Sequence, residues 1–315
     1  MLKLIGQRLA LGLLTLLAAS VLIFAGTEVL PGDLASAILQ NSATPENLAE
    51  IRKELGLERP AAVRYVEWLG GVVRGDFGHS LTNKRDVIDE LAPRLKNTVF
   101  LAAYAALIAV PLAVILGLLA AIWQGGVYDR SINVFTLMTI SVPEYFLGYL
   151  LIKYIAVELG WFPSLANVSP QTPLGDRIFL TFLPMLNLVL VVVAHMMRLT
   201  RASVLAIMAS PYIEMAILKG LPKWRIVVQH AFPNALAPVI NVIALNLAYL
   251  IVGVVIVENV FTYPGLGTLM VDRVSKHDVP MVQACGLIFA ATFILLNMIA
   301  DIGAIMSNPR LRHPR

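Results

Sequence analysis

Long apolar runs separated by short polar stretches dominate the hydropathy pattern of the chain. A helix needs about 20 predominantly apolar residues to cross a bilayer, because its backbone groups must be hydrogen-bonded internally within the lipid. The runs that satisfy this requirement predict six transmembrane helices, at residues 9–26, 99–123, 134–157, 178–197, 235–257 and 281–302. The third run is the weakest candidate, since it contains Pro143, Glu144 and Lys153.

The composition agrees with this pattern. The 315 residues are 58% hydrophobic and only 14% charged, whereas a soluble domain is nearer half apolar and about a quarter charged. We therefore expect an all-α integral membrane protein whose single transmembrane domain covers residues 1–315. The one cysteine, Cys285, lies in an apolar stretch. A disulfide framework or a thiolate metal site cannot be built from it, and we expect a small core residue there.

The first apolar run fits either a cleaved signal peptide or a retained helix. Lys3 and Arg8 precede it, as in the basic region of a signal peptide. The run is longer than the apolar region of a typical signal peptide, and no small-x-small cleavage site follows it. We expect a retained membrane helix.

The distribution of Lys and Arg predicts the orientation of the helices, because short cytoplasmic loops carry an excess of basic residues. If the N-terminus lies inside, the short outside loops hold only three basic residues, Arg177, Arg273 and Lys276. Both termini are expected in the cytoplasm, and the long segment at residues 29–98 is expected outside. With the N-terminus inside, the inner segments hold Lys3, Arg8, Arg130, Arg198, Arg201, Lys219, Lys223, Arg225, Arg310, Arg312 and Arg315.

Residues 29–98 form the longest polar segment, and its pattern indicates a helical periplasmic insertion. A helix is predicted over residues 44–56, with Thr44 as its N-cap and a glycine beyond its last turn. Apolar residues at helical spacing predict two more amphipathic helices, over residues 61–73 and 86–99. These helices either cap the membrane bundle or dock an external partner, and the sequence leaves both interpretations open.

The segment at residues 198–233 carries two short helical patterns between the fourth and fifth apolar runs. The first, around residues 213–219, has an apolar stripe of Ile213, Ala216 and Ile217 and ends at Gly220. The second, around residues 223–230, precedes a proline. The pair could lie on the anionic inner leaflet of the membrane. Small residues such as Ala216 favour the alternative, which is close approach by another protein surface.

The same segment resembles the EAA loop of ABC importer permeases, in the version found in peptide/nickel importers. The loop resemblance rests on Glu214-Met215-Ala216, Gly220 and His230-Ala231-Phe232-Pro233-Asn234. The chain is similar to the first of the two permease subunits of that branch, dipeptide or oligopeptide permease B. Other motifs of this family follow in the expected order along nearly the whole chain, including Pro31-Gly32-Asp33, Gly75-Asp76-Phe77-Gly78, Arg201-Ala202-Ser203 and Asn308-Pro309-Arg310.

This resemblance implies a type I ABC importer in a bacterial inner membrane. The chain and a second permease would form the pathway, two cytoplasmic ATPases would power it, and an external binding protein would deliver the solute. Peptides are the first expectation for that solute, with nickel, glutathione or another small solute as the alternative. Residues 198–233 would be the coupling loop seated on an ATPase, with contacts expected at Tyr212, Glu214, Ala216, Lys219, Gly220, Leu221, His230 and Asn234.

The sequence contains no G-x-x-x-x-G-K-[ST] phosphate loop and no Gly-Lys pair. We therefore expect a transport subunit that is not an enzyme, with no catalytic, cofactor or metal site and no nucleic-acid partner. ATP and Mg²⁺ would be bound by the partner ATPases. A secondary transporter is a remote alternative, and it would require internal repeats and charged relays within the spans. An intramembrane hydrolase would require a nucleophile elbow, which Gly78-His79-Ser80 does not provide.

Two further sets of residues are candidates for the transport pathway. Glu144 lies within the third apolar run, and a carboxylate inside a membrane span is a functional candidate by default. It would line the substrate pathway, sit in a water-filled cavity or hydrogen-bond a neighbouring helix. A turn after the fifth run forms a cap that joins two spans, an outer gate or a contact with the binding protein. Its candidate residues are Glu258, Phe261, Pro264, Gly265 and Gly267.

Overall fold

The computed structural model describes residues 2–29, 44 and 59–307. Within these ranges the regular structure is helical, apart from one isolated antiparallel bridge between His79 and Asp86. A π-helical turn, Ile152–Glu158, extends the helix that begins at Glu144. Lys223–Arg225, followed by the π-helical turn Ile226–Ala231, leads into the helix that begins at Phe232. The helices are α1 (Leu2–Val29), α2 (Ala61–Val73), α3 (Val87–Ile122), α4 (Val127–Ser141), α5 (Glu144–Leu151), α6 (Leu174–Leu180), α7 (Phe182–Met208), α8 (Pro211–Leu218), α9 (Phe232–Val260), α10 (Leu266–Ser275) and α11 (Val279–Ser307).

Five helices among the described residues are long and apolar enough to cross a membrane. They coincide with the first, second, fourth, fifth and sixth predicted spans, which are confirmed in position. Each extends beyond the apolar run at one or both ends, because a helix continues into the interface as long as its backbone is hydrogen-bonded. Their bounds are Ile5–Glu28, Val87–Ile122, Phe182–Met208, Lys223–Ile251 and Val279–Gly303.

The third predicted span is not one straight helix. It consists of α4 and α5 with its π-helical extension, bent by 102° at a short break, so that the pair is either a broken span or a re-entrant loop. The break follows from the local sequence, because Val142 is extended with ψ 128°, as expected for a residue that precedes a proline. Pro143 has no backbone N–H to continue the ladder of α4.

The segment at residues 29–98, which is predicted to lie outside the membrane, is partly described. The helix predicted over residues 61–73 is confirmed as α2, whereas the one predicted over residues 44–56 lies outside the described residues except for Thr44. The amphipathic piece predicted over residues 86–99 is confirmed as the first part of α3, which runs without interruption from Val87 into the second span. Acidic side chains in its first turn favour this start, since they complement the positive end of the helix macrodipole.

The chain divides into two compact units. The first unit comprises Met1–Gly12, Val99–Tyr263 and Thr292–Arg315. In its centre α7 packs along α9, and α4 and α5 pack against this pair. A Cβ atom added at Gly117 of α3 would lie 3.0 Å from the carbonyl oxygen of Met197. The glycine thus allows two membrane helices to approach closely, as small residues do in helix bundles.

The second unit comprises Leu13–Thr98 and Pro264–Ala291. Its hydrophobic core includes Leu91, Leu266 and Cys285. Cys285 is fully buried, which confirms its prediction as a core residue. In the same unit α2 packs on α1 through an aromatic cluster of Phe24, Tyr65 and Trp68.

Candidate functional site

The segment between α7 and α9 begins with a sharply ended helix, α8. Gly220 has φ 74°, a conformation that favours glycine. The Gly220 amide donates to the carbonyl of Ile217 at 2.9 Å, and the Leu221 amide donates to that of Ala216 at 3.3 Å. These two bonds form a Schellman motif, and Pro222 follows it directly. The predicted helix end at Gly220 is confirmed, and the backbone after α8 is tightly constrained.

The inner face of α8 packs against its own chain. Ile213 and Ala216 are buried in a cluster with Val204, Ile226 and Val227. The sequence had suggested that the small side chain of Ala216 allows approach by another protein. The structure instead uses it for close packing within this chain, because the turn that leads into α9 lies against that face.

The outer face of α8 is exposed and largely apolar. Tyr212, Met215, Ile217 and Leu218 are between 45% and 75% exposed. Ile217, which the sequence placed on the same stripe as Ala216, therefore lies on the other side of the helix. The side chains of Glu214 and Lys219, together with Gly220, are exposed as well, whereas Leu221 is partly buried against the inner cluster. An exposed patch of this kind, rimmed by charges, is typical of a contact with a protein or with the membrane surface.

Hydrogen bonds to one carbonyl hold α8 in place. The Tyr212 hydroxyl donates to the backbone oxygen of His230 at 3.3 Å, and the Asn234 side-chain amide donates to the same oxygen at 2.8 Å. The structure thus brings together three residues that the sequence assigned to the coupling loop. The second predicted short helix, around residues 223–230, is not separate from the span that follows, because the wide π-helical turn leaves room for the ring of Pro233.

A buried ion pair that the sequence did not predict lies behind this segment. Asp129, which is 4% exposed, accepts hydrogen bonds from Arg201 at 2.6 and 2.7 Å. The Gly125 amide and the Asn133 side chain donate to the same carboxylate at 2.9 and 2.8 Å. This bidentate pair joins the start of α4 to the last part of α7. Arg201 belongs to a motif quoted above, but no local signal identifies its partner.

The predicted outer turn is mostly buried, and its residues fall in both units. In the first unit Glu258 and Phe261 are fully buried, and the Phe261 carbonyl accepts a hydrogen bond from the Ala166 amide at 2.9 Å. The Tyr263 amide donates to the Glu258 carbonyl at 2.8 Å. Burial raises the pKa of the Tyr263 hydroxyl to about 12. This packing favours a capping role for that part of the turn.

The other part of the turn belongs to the second unit. The Pro264 carbonyl accepts a hydrogen bond from the Asn97 side chain at 2.8 Å. Gly265 precedes the first residue of α10, and Gly267 is buried within its first turn. The Leu266 amide donates to the Thr98 hydroxyl at 2.8 Å. Both bonds attach the start of α10 to α3.

The loop before α3 binds a buried carboxylate in the second unit. The Leu81 amide and the Thr82 hydroxyl each donate to Asp278 at 3.0 Å, and the Ser80 hydroxyl also donates to it. Asp278 and Ser80 are almost completely buried. Ser80 is therefore committed to a structural hydrogen bond, and its geometry gives no support to the hydrolase hypothesis. The sequence did not indicate Asp278, because it lies 198 residues away from Ser80.

Glu144 occupies the first position of α5, directly after the break in the third span. The Asn187 side-chain amide donates to the Glu144 backbone oxygen at 3.3 Å. A Cβ atom added at Gly253 of α9 would lie 3.2 and 3.3 Å from the two carboxylate oxygens. Glu144 thus rests on α9 within the first unit. Among the described residues, no cluster of three or more His, Cys, Asp or Glu side chains could hold a metal ion.

Comparison with known proteins relates almost the whole chain to transport systems. Residues 113–313 match the family described as binding-protein-dependent transport system inner membrane component. Residues 1–102 match the N-terminal family of the membrane components of such systems. A probable peptide ABC transporter permease of Sinorhizobium fredii is 33% identical over 307 residues, which cover 98% of each chain. The glutathione transport system permease protein GsiC of Escherichia coli is 36% identical over 304 residues, which cover 96% of this chain and 97% of GsiC.

One solved structure is similar in fold. A chain of the methionine ABC transporter MetNI, in an inward-facing conformation, superposes with a TM-score of 0.51 at 16% sequence identity. The match covers 70% of this chain and 96% of that one. At this identity the likeness concerns the fold alone, and it confirms the helical fold class expected from the sequence.

Proposed function

As the chain belongs to the family of inner membrane components of binding-protein-dependent transport systems, and is thus an ABC importer permease in the bacterial inner membrane, we propose that it imports peptides. In this proposal it forms the pathway together with a second, homologous permease. The name of the Sinorhizobium fredii relative supports peptides as the solute. The somewhat higher identity to GsiC supports glutathione as the second candidate.

The outer face of α8 is the proposed contact with an ATPase subunit. Tyr212, Met215 and Leu218 offer apolar area to such a partner, and Glu214 and Lys219 offer charges at its rim. A segment that transmits force must be short and stiff, because a flexible one would absorb the motion. The Schellman end of α8 and its buried inner face give it that stiffness.

The proposed orientation places α8 in the cytoplasm, together with both termini. It follows from the excess of basic residues in the inner segments, and it puts residues 29–98 and the outer turn on the periplasmic side. The family supports ATPase and binding-protein partners in general. The proposal specifies two ATP-binding subunits that hold ATP and Mg²⁺, and one external solute-binding protein. Residues 29–98 would then cap the bundle, dock that binding protein or do both.

Copurification tests the assembly. A tagged chain, expressed with the neighbouring subunits, should bring down a second permease and ATPase subunits, and the reconstituted complex should hydrolyse ATP faster when the loaded binding protein is added. Trialanine and glutathione, each tested as the solute carried by the binding protein, separate the two candidate functions. Transport by a homo-oligomer of this chain without ATP would contradict the proposal.

A further inference from the structure

We propose that Glu144, whose backbone is held by Asn187, forms a recognition site for the protonated amino group of the transported solute. This inference rests on the import function proposed above. It concerns selection by the permease itself, after the solute has left the binding protein. The site lies within the first unit, where α5, α7 and α9 meet.

The position of Glu144 is unusual for a residue in a membrane helix. It is the first residue of α5, immediately after Pro143, and the two halves of the span diverge by 102° at this point. Interrupted helices occur at membrane depth only where they are buried in protein or line a water-filled cavity. The interruption therefore places the carboxylate toward protein or water and away from the hydrocarbon of the lipid.

The surroundings of Glu144 contain acceptors that lack donors. Among the described residues, no side chain or amide pairs with its carboxylate. The neighbouring Asn187 is fully buried. Its amide nitrogen is used in the bond to the Glu144 backbone, while its side-chain oxygen has no hydrogen-bond partner. Because buried acceptors are normally satisfied, this neighbourhood is short of hydrogen-bond donors.

The absence of a side chain at Gly253 allows Glu144 to reach this place. A methyl group there would press on both carboxylate oxygens, at 3.2 and 3.3 Å. Tyr249 and Ile256 lie on the same face of α9 by helical spacing, and they are 55% and 43% exposed in the isolated chain. If this exposed strip faced lipid, the Glu144 carboxylate beside it would lie against the hydrocarbon, which costs free energy. We infer that this strip faces the transport pathway.

An ammonium group has the complementary chemistry. It carries a positive charge and three donors but no acceptor, so that it can pair with the Glu144 carboxylate through charge-assisted hydrogen bonds. The amino terminus of a peptide and the free amino group of glutathione both qualify. A bare divalent metal ion fits less well, since the described residues provide only one carboxylate here and no cluster of metal ligands.

Protection of Glu144 from carbodiimide tests the site without ATP or binding protein. The purified assembled complex is treated with dicyclohexylcarbodiimide, and modification of Glu144 is measured by mass spectrometry in the presence of trialanine or N-acetyltrialanine. Trialanine should protect at a concentration at least about tenfold lower, because only its charged amino group can pair with the carboxylate. Equal protection by the two peptides, or protection by neither, overturns the inference.

Two variants separate recognition from structure. Glu144→Gln in proteoliposomes should lower the ATP-driven uptake rate of trialanine about tenfold, since it removes one charge-assisted hydrogen bond, and should retain ATPase stimulation by the binding protein. Glu158→Gln is the matched control, because this exposed carboxylate ends the same bent segment, and it should behave as wild type. A parallel loss of uptake and of ATPase stimulation in Glu144→Gln would assign Glu144 a structural role and overturn the inference.

The same measurements distinguish failure of the site from failure of the transport function. Selective protection by trialanine, combined with no ATP-dependent uptake of trialanine or glutathione by the wild-type complex, would support the amine site and reject the proposed import function. Normal ATP-dependent uptake of trialanine by Glu144→Gln would leave the import function standing and reject the amine site.

Discussion

Replacement of Leu218 by lysine should uncouple the permease from its ATPase without disturbing its fold. Leu218 is 75% exposed in the isolated chain, and it is the last residue of α8. Lysine has nearly the same helix propensity as leucine, and its charge is favourable at a helix C-terminus. The stability of this chain should therefore change by less than about 0.5 kcal/mol.

The effect on assembly should be much larger. A leucine side chain that becomes fully buried contributes about 1.5–3 kcal/mol, and each 1.4 kcal/mol corresponds to about a tenfold change in an equilibrium constant. The lysine variant loses this contribution and must also remove its ammonium group from water. We expect the affinity for the ATPase subunits to fall by at least about tenfold.

The assay compares three properties of the tagged chain: its amount in the membrane, the ATPase subunits that copurify with it, and solute uptake. Leu174→Lys is the matched control, because Leu174 is 64% exposed at the start of α6, in a loop expected outside. Ala216→Arg provides the contrast, since a buried charge without a partner destabilises a fold by about 3–5 kcal/mol, and it should reduce the amount of chain in the membrane. Wild-type copurification and uptake by Leu218→Lys would refute the proposed contact.

Three other predictions concern the ion pair, the outer turn and the topology. Asp129→Asn should leave Arg201 partly buried without its counter-ion and should lower the free energy of unfolding by about 3 kcal/mol, measured by thermal unfolding in detergent. Additive effects of Asp129→Asn and Arg201→Gln in a double-mutant cycle would contradict a direct coupling. Burial raises the pKa of Tyr263 to about 12 from the ordinary value of 10.0. Its neutral form therefore stabilises the folded state below pH 10, and this contribution should be lost as the pH rises towards 12. A Tyr263→Phe variant should lose less stability over that interval, and an equal loss would refute the assignment. In a background with Cys285 replaced, a cysteine at Lys223 should react with an impermeant thiol reagent only from the cytoplasmic side, and one at Val73 only from outside. The reverse pattern would contradict the proposed orientation.

The sequence alone located most of the helices. Hydropathy over about 20 residues identifies a membrane span because the need to satisfy the backbone within lipid is a local requirement. The end of α8 could also be predicted from neighbouring residues, since Gly220 readily adopts the positive φ observed there and Pro222 cannot continue a helix. The motifs of the loop around α8, together with those along nearly the whole chain, also indicated the family that the comparison shows.

Tertiary structure decided which faces of these helices pack and which remain exposed. The spacing predicted one common stripe for Ala216 and Ile217, but only Ala216 is buried, because the turn that leads into α9 covers that side alone. The pairing of Asp129 with Arg201 spans 72 residues, and no periodicity within one helix can indicate it. Similarly, Pro143 indicated a weak span, but the 102° angle between its two halves is seen only in the structure, where both halves pack on α7. Hydropathy and backbone preferences act over a few turns of helix, whereas burial and charge pairing depend on neighbours that only the folded chain brings together.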